Sequence, residues 1–304
     1  MASTFRLEGV FSVLPTAFHD DGALDLDGTA ALARAHVEAG VSGLTSLGVM
    51  GEAAELTEDE RGRVLATVLE AAAGQAVMVG VTGPSAEVVA SRARDAAEAG
   101  VAGVMVSPTA TLGLREAVAA AAAAERPIVV QDYPAGTGVV VSIDDLVQVA
   151  AGEPLVVGVK AEAPPTSGAI EALRRRSPHL GAVGGLGGLF LIDELRAGAT
   201  GTMTGLALPE QLVAIVRSFH GDPDGAERRW TSLLPLIRLE AFPPFNLAAR
   251  KEVWRLRGVI GSARCRRAGA ELDERSRDDV RRALDQALAA ADHPGEATEA
   301  VAGR

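Results

Sequence analysis

Short unbroken runs of apolar residues alternate along this chain with longer stretches in which apolar positions recur every three or four residues. An unbroken run bounded by small residues reads as a strand covered on both faces, and the longer period reads as a helix with one buried stripe. The first run, Val10 to Pro15, is followed by a helix from about Asp27 to Ala39 that Gly40 stops. The second, Gly43 to Gly48, leads to a helix that Thr57 caps, with Glu60 three residues on completing a capping box. Further strands are predicted at Ala76–Val81, Gly103–Val106, Pro127–Asp132, Leu155–Ala161, Leu180–Gly184 and Thr200–Thr204. Helices near 85–98, 112–124, 142–151, 167–176, 189–197 and 209–219 alternate with them; Ser85, Ser142 and Ser167 suit N-caps, and Gly100 suits a stop. Eight strand-then-helix units in about 220 residues predict an α/β fold, the (β/α)8 TIM barrel. A doubly wound open sheet rarely holds eight strands so evenly spaced, and no GxGxxG follows the first strand.

The barrel is assigned to residues 1–222. Residues 223–292 read as a C-terminal helical extension of three helices broken at Pro235, Pro243 and Pro244, and 293–304 as a disordered tail.

Composition narrows the class of partner. A net charge of −11 and a pI near 5.0 argue against nucleic acid and anionic membrane, both of which attract basic patches. Small molecules remain. The N-terminal residues lack an apolar signal core and no long apolar run occurs, so a cytoplasmic protein is expected. The single cysteine, Cys265, sits among arginines and reads as a bystander thiol, and the five histidines show no ligand spacing. Neither a metal nor a cofactor is expected.

A barrel carries its chemistry at the carboxyl ends of its strands, so a polar side chain placed there needs a reason. The strongest case is Val156-Val157-Gly158-Val159-Lys160-Ala161-Glu162, which drives a lysine into an otherwise apolar run. Burial disfavours the ammonium form, and a free amine attacks a carbonyl carbon to give a Schiff base. Lys160 could equally end its strand in a salt bridge to Glu162, which lies on the same face two residues nearer the mouth. Strand five ends in Gln131-Asp132-Tyr133-Pro134, where alternation puts Gln131 and Tyr133 on one face. Strand two ends in Gly48-Val49-Met50-Gly51-Glu52, a turn that either leaves N–H groups free for a carboxylate or phosphate or is simply tight. Strand seven runs into Gly184-Gly185-Leu186-Gly187-Gly188, which could cradle a phosphate or bring backbone, at Gly187, close to a small substrate. The segments Ser107–Thr111 and Ala135–Gly138 are expected to shape the distal pocket. One amine, one carboxylate, one amide and one phenol above an apolar barrel suit Schiff-base chemistry on a 2-oxo acid.

Read in order, Leu14-Pro15-Thr16-Ala17-Phe18, Gly48-Val49-Met50-Gly51-Glu52, Tyr133-Pro134, Gly158-Val159-Lys160 and Gly198-Ala199-Thr200-Gly201-Thr202-Met203-Thr204 resemble the dihydrodipicolinate synthase and N-acetylneuraminate lyase family from about residue 8 to 258. The resemblance implies a barrel with C-terminal helices, a homotetramer or homodimer, and a strand-six lysine, here Lys160, that forms a Schiff base with pyruvate or a related 2-oxo acid. It makes the turn at Gly48, Val49, Met50 and Gly51 the carboxylate-holding loop and Met203 a contact of the pyruvyl group. The departures matter as much. Val49 and Met50 stand where the family carries two threonines, Gln131 where its catalytic tyrosine lies, and Gly136 where dihydrodipicolinate synthases carry a substrate-clamping arginine. Dihydrodipicolinate synthesis itself is therefore not expected. Gln-Asp-x-Pro with Lys-x-Glu is similar instead to the branch of 2-keto-3-deoxy sugar-acid dehydratases and related aldolases.

On this reading a 2-oxo acid docks its carboxylate on the N–H groups around Val49–Gly51, and Lys160 attacks the adjacent carbonyl. The iminium then draws electrons from a broken C3–H or C3–C4 bond. Glu162 is the candidate base or acid, Gln131 a partner of the substrate hydroxyl or carbinolamine, and Tyr133 an alternative proton donor. Aldolase and dehydratase outcomes stay open. So do two other classes: a phosphate-binding barrel enzyme without a Schiff base, and a non-catalytic ligand-binding barrel.

Overall fold

A computed structural model describes residues 5–241, 243 and 245–292; Pro244 and the tail expected at 293–304 lie outside the described residues. Eight strands, β1 Gly9–Val13, β2 Gly43–Ser46, β3 Ala76–Gly80, β4 Gly103–Val106, β5 Ile128–Asp132, β6 Val156–Ala161, β7 Gly181–Gly184 and β8 Gly201–Thr204, close in that order into a parallel barrel. β8 pairs with β1, with Phe11 opposite Met203. The expected (β/α)8 architecture is therefore the observed one.

The helices around the barrel are α1 Leu26–Glu38, α2 Glu58–Ala71, α3 Ala86–Ala99, α4 Leu114–Ala121, α6 Ile143–Gly152, α7 Thr166–Arg176, α8 Leu191–Arg196 and α9 Pro209–Ser218. A short turn of helix, α5 Pro134–Thr137, was not foreshadowed by the periodicity. The capping box of α2 is present in both directions between Thr57 and Glu60, and the hydroxyls of Ser85 and Ser142 accept from Val88 and Asp145 N–H. Ser167 does not cap α7. That helix starts at Thr166, one residue earlier, because Pro165 holds the extended entry and the Thr166 hydroxyl is drawn away to Glu194 Oε1 at 2.7 Å.

Among the described residues three helices follow the barrel: α10 Pro223–Ala241, α11 Asn246–Leu256 and α12 Glu274–Asp292. Pro235 does not break α10 but lies inside it, where the buried Leu233, Leu236 and Ile237 press both sides of the proline against the rest of the fold. Pro243 falls between α10 and α11, as expected of a helix breaker. α10 packs on α9 and on the turn after β7, which places the start of α11 over the mouth.

Inside the barrel, Leu7, Phe11, Val13, Met78, Met105, Val129, Val183 and Met203 form a closed apolar plug. Strand alternation sends the other set of residues outward to the helices. Glycine makes the plug possible where two strands face a large side chain: a Cβ on Gly43 would lie 2.4 Å from the Phe11 ring, and one on Gly158 2.6 Å from Leu7. The plug stops short of the strands' carboxyl ends, and the polar side chains begin there.

Candidate active site

The alternation that puts Val129 in the plug carries Gln131 to the top of β5, and the same register in β6 places Lys160 opposite Gln131. Glu162 follows one residue past the strand. Lys160 and Glu162 are each 5% exposed, and their charged ends are 3.1 Å apart. Gln131 Nε2 donates to Glu162 Oε2 at 2.6 Å, while the Ser107 hydroxyl donates to Gln131 Oε1 at 3.1 Å and so fixes which way the amide points. Glu162 Oε1 accepts the Leu186 N–H at 3.1 Å. The carboxylate is thus held by an amine, an amide and a backbone N–H from three successive strand ends.

The strand-seven glycines serve this arrangement. A Cβ on Gly185 would fall 2.1 Å from Glu162 Oε1, so the bare backbone there is what lets the carboxylate lie against the loop. Of the N–H groups in the loop considered for phosphate, that of Leu186 is taken by Glu162, while Gly187 faces the cavity described below.

The strand-two turn forms a single 3-10 turn, Val49–Gly51, flanked by the left-handed residues Leu47 and Glu52. Gly51 N–H is engaged inside the turn by Gly48 O at 3.0 Å, and Gly51 O accepts from the Thr16 hydroxyl at 2.7 Å. The N–H groups of Val49 and Met50 have no backbone acceptor among the described residues. A buried carboxylate anchors the turn from below. Glu52 Oε1 meets Lys251 Nζ at 2.5 Å, and its Oε2 accepts N–H groups of both Arg266 and Arg267 at 2.7 Å.

A cavity is bounded by these parts. Gly48, Val49, Met50, Gln131, Tyr133, Lys160, Glu162 and Gly187 all line it; Gly51 and Met203 do not, Met203 being fully buried in the plug. Tyr133 has its ring over Gly136, where a Cβ would come within 2.2 Å of it. An arginine at position 136 would have to displace that ring. Burial, then the neighbouring Glu162 charge, pushes the Tyr133 phenol up from its ordinary range, against the pull of Arg267 and Arg250. The sequence reading missed the C-terminal contribution, since Asn246 and Arg250 of α11 and Glu240 of α10 also face this cavity. Nothing local in the sequence marks them. Ser107 was expected only as part of the distal pocket; alternation from Met105 also points it inward, to its bond with Gln131.

Two further acids lie just outside the cavity lining. Asp132 faces the helix layer and is raised to about 6 by burial and then by Glu162. Glu194, held by Thr166 behind Gly184, is raised to about 8 mainly by burial.

Comparison with known proteins agrees with this geometry. Residues 6–287 match the model of the dihydrodipicolinate synthetase family. The chain is 34% identical over 292 residues to an L-2-keto-3-deoxyarabonate dehydratase of Azospirillum brasilense, covering 92% of this chain and 94% of that protein. It is 34% identical over 272 residues to a 4-hydroxy-tetrahydrodipicolinate synthase of Sorangium cellulosum, with 86% and 90% covered. The crystal structure of dihydrodipicolinate synthase from Rhodopseudomonas palustris superposes with a TM-score of 0.87 at 34% identity, covering 92% of this chain and 97% of that one. With a strand-six lysine at the floor of the mouth and matches of this extent, the chain belongs to the dihydrodipicolinate synthetase family of enzymes.

Proposed function

We propose that the protein is a Schiff-base lyase acting on a 2-keto-3-deoxy sugar acid, with Lys160 as the nucleophile. The observation that carries this reading is the Lys160 amine in the cavity, 3.1 Å from a carboxylate that Gln131 and Leu186 N–H hold in place. The free N–H groups of Val49 and Met50 suit the substrate carboxylate. Lys160 adds to C2 and water leaves, giving an iminium. Glu162 removes a C3 proton, and the C3–H electrons move into the C2–C3 bond to give an enamine. The enamine then expels the C4 hydroxyl, which departs as water with a proton from Glu162, and hydrolysis of the conjugated imine frees Lys160. The aldolase alternative takes the proton from the C4 hydroxyl instead and breaks C3–C4, releasing an aldehyde and the enamine of pyruvate.

Dehydration is the better fit. Glu162 has a hydrogen-bond partner at each oxygen and reaches the Lys160 amine, which supports a proton shuttle next to the carbon that Lys160 attacks. Val49 and Met50 offer no hydroxyl for a relay. The similarity to the L-2-keto-3-deoxyarabonate dehydratase supports the same choice. A homotetramer or homodimer belongs to this reading, and sedimentation velocity tests it.

Incubation with pyruvate and sodium borohydride, followed by intact-mass measurement, tests the nucleophile. One reduced pyruvyl group is expected on the wild type and none on Lys160→Ala; an unchanged wild-type mass overturns the proposal. A panel of 2-keto-3-deoxy acids scored for pyruvate release against dehydrated keto acid then separates the two outcomes.

A further inference from the structure

A second, wider cavity opens beside the first. Both are lined by Gly48, Val49, Met105, Gln131 and Tyr133, so the two cavities adjoin along these residues. Its walls carry three guanidinium groups, Arg61, Arg92 and Arg267, in a chain whose net charge is −11. Two of these are fully engaged. Arg61 donates to Ala53 O and Gly80 O, Arg92 to Thr82 O, and both reach the carboxylate of Glu58.

Arg267 differs. Its Nη2 donates to Val49 O at 3.0 Å, and its other N–H groups have no acceptor among the described residues. It is also not a freely swinging surface arginine. Its own backbone N–H is fixed on Glu52, and the preceding residue is clamped by two bonds from the Arg266 guanidinium to Glu60. The carboxylate that anchors the strand-two turn thus delivers a half-unpaired guanidinium to the edge of the second cavity. A planar fork with free donors matches a carboxylate or a phosphate.

We propose that Arg267 determines specificity by receiving a second anionic group at the far end of the substrate. The preferred substrate is then a 2-oxo acid whose tail runs from Lys160 into the second cavity and ends in a carboxylate or a phosphate. This rests on the Schiff-base reading for the position of the reacting carbon, and it goes beyond that reading in naming the tail.

The test uses six-carbon 2-keto-3-deoxy acids that end in hydroxymethyl, in carboxylate or in phosphate, titrated calorimetrically into full-length Lys160→Ala protein and into Lys160→Ala/Arg267→Gln. At least one anionic acid is expected to bind about tenfold or more tighter than the hydroxymethyl acid, with the advantage shrinking on Arg267→Gln and at higher salt. The tighter of the two anionic arms identifies the terminal group. Equal binding of the hydroxymethyl acid, or a preference that survives Arg267→Gln, overturns the proposal. The absence of a borohydride adduct on the wild type would overturn the Schiff-base reading alone, because binding to Lys160→Ala never passes through an imine. Arg267 lies in a partly exposed position, and equal thermal midpoints of the two proteins confirm that the comparison is between folded states.

Discussion

Two buried lysine–glutamate pairs occupy this molecule, and they differ in what surrounds them. The chain has only two lysines, Lys160 and Lys251, among its 29 basic residues. Lys251 and Glu52 are completely enclosed, and each is saturated: the amine by Glu52, Arg264 O and the face of Phe18, the carboxylate by that amine and two backbone N–H groups. Lys160 and Glu162 lie at a cavity floor, with the amine facing open space. Burial of a lysine is therefore no mark of catalysis by itself. Access decides: the sealed pair holds two segments together, and the open pair has a face left for a substrate.

Replacing each amine by a near-isosteric apolar chain should break this comparison most sharply. Lys160→Met is expected to lower kcat/KM by about 10⁴-fold or more and to cost less stability than loss of the sealed pair, because Glu162 keeps Gln131 and the Leu186 N–H and lines the cavity. Lys251→Met should do the reverse in kind, costing about 3–5 kcal/mol in denaturant titrations because Glu52 is left charged and enclosed. A stable, active Lys251→Met protein would show that the sealed pair is dispensable. Glu162→Gln keeps the shape of the open pair while removing its proton exchange, and a loss of about 10²–10⁴ in kcat is expected with pyruvate trapping retained.

The smallest effect concerns stability against pH. Glu194 is protonated in the folded protein up to about pH 8, whereas in the unfolded chain it ionises near its ordinary 4.5. A carboxyl group raised in this way supports folding fully below about pH 4.5, and that support is eroded as pH climbs toward 8. Glu194→Gln removes the titration, so relative to wild type the variant should gain about 1–3 kcal/mol between pH 5 and pH 8 in urea melts. A constant difference across that range would refute the assignment.

The same contrast explains how far the sequence could be read. All eight strands were legible because each is a fully covered run, and Lys160, Glu162 and Gln131 were legible because strand alternation is a local rule that fixes their face. Local rules also misled. Pro235 has the chemistry of a helix breaker, yet packing of its neighbours carries α10 through it, and Ser167 is no cap because α7 starts one residue before it and Ser167 lies inside the helix. Asn246, Arg250 and Arg267 were illegible for a different reason: they reach the mouth only through helices and loops folded back from the end of the chain, and no spacing within those segments encodes the destination.

The anchor at Glu52 ties the mouth of the barrel to a late segment of the chain. Its partners lie 199 residues downstream at Lys251 and 214 downstream at Arg266. The strand-two turn therefore rests on a carboxylate whose charged and N–H partners come from residues 251–267, so a chain cut short before that segment would leave the acid beneath the turn unneutralised.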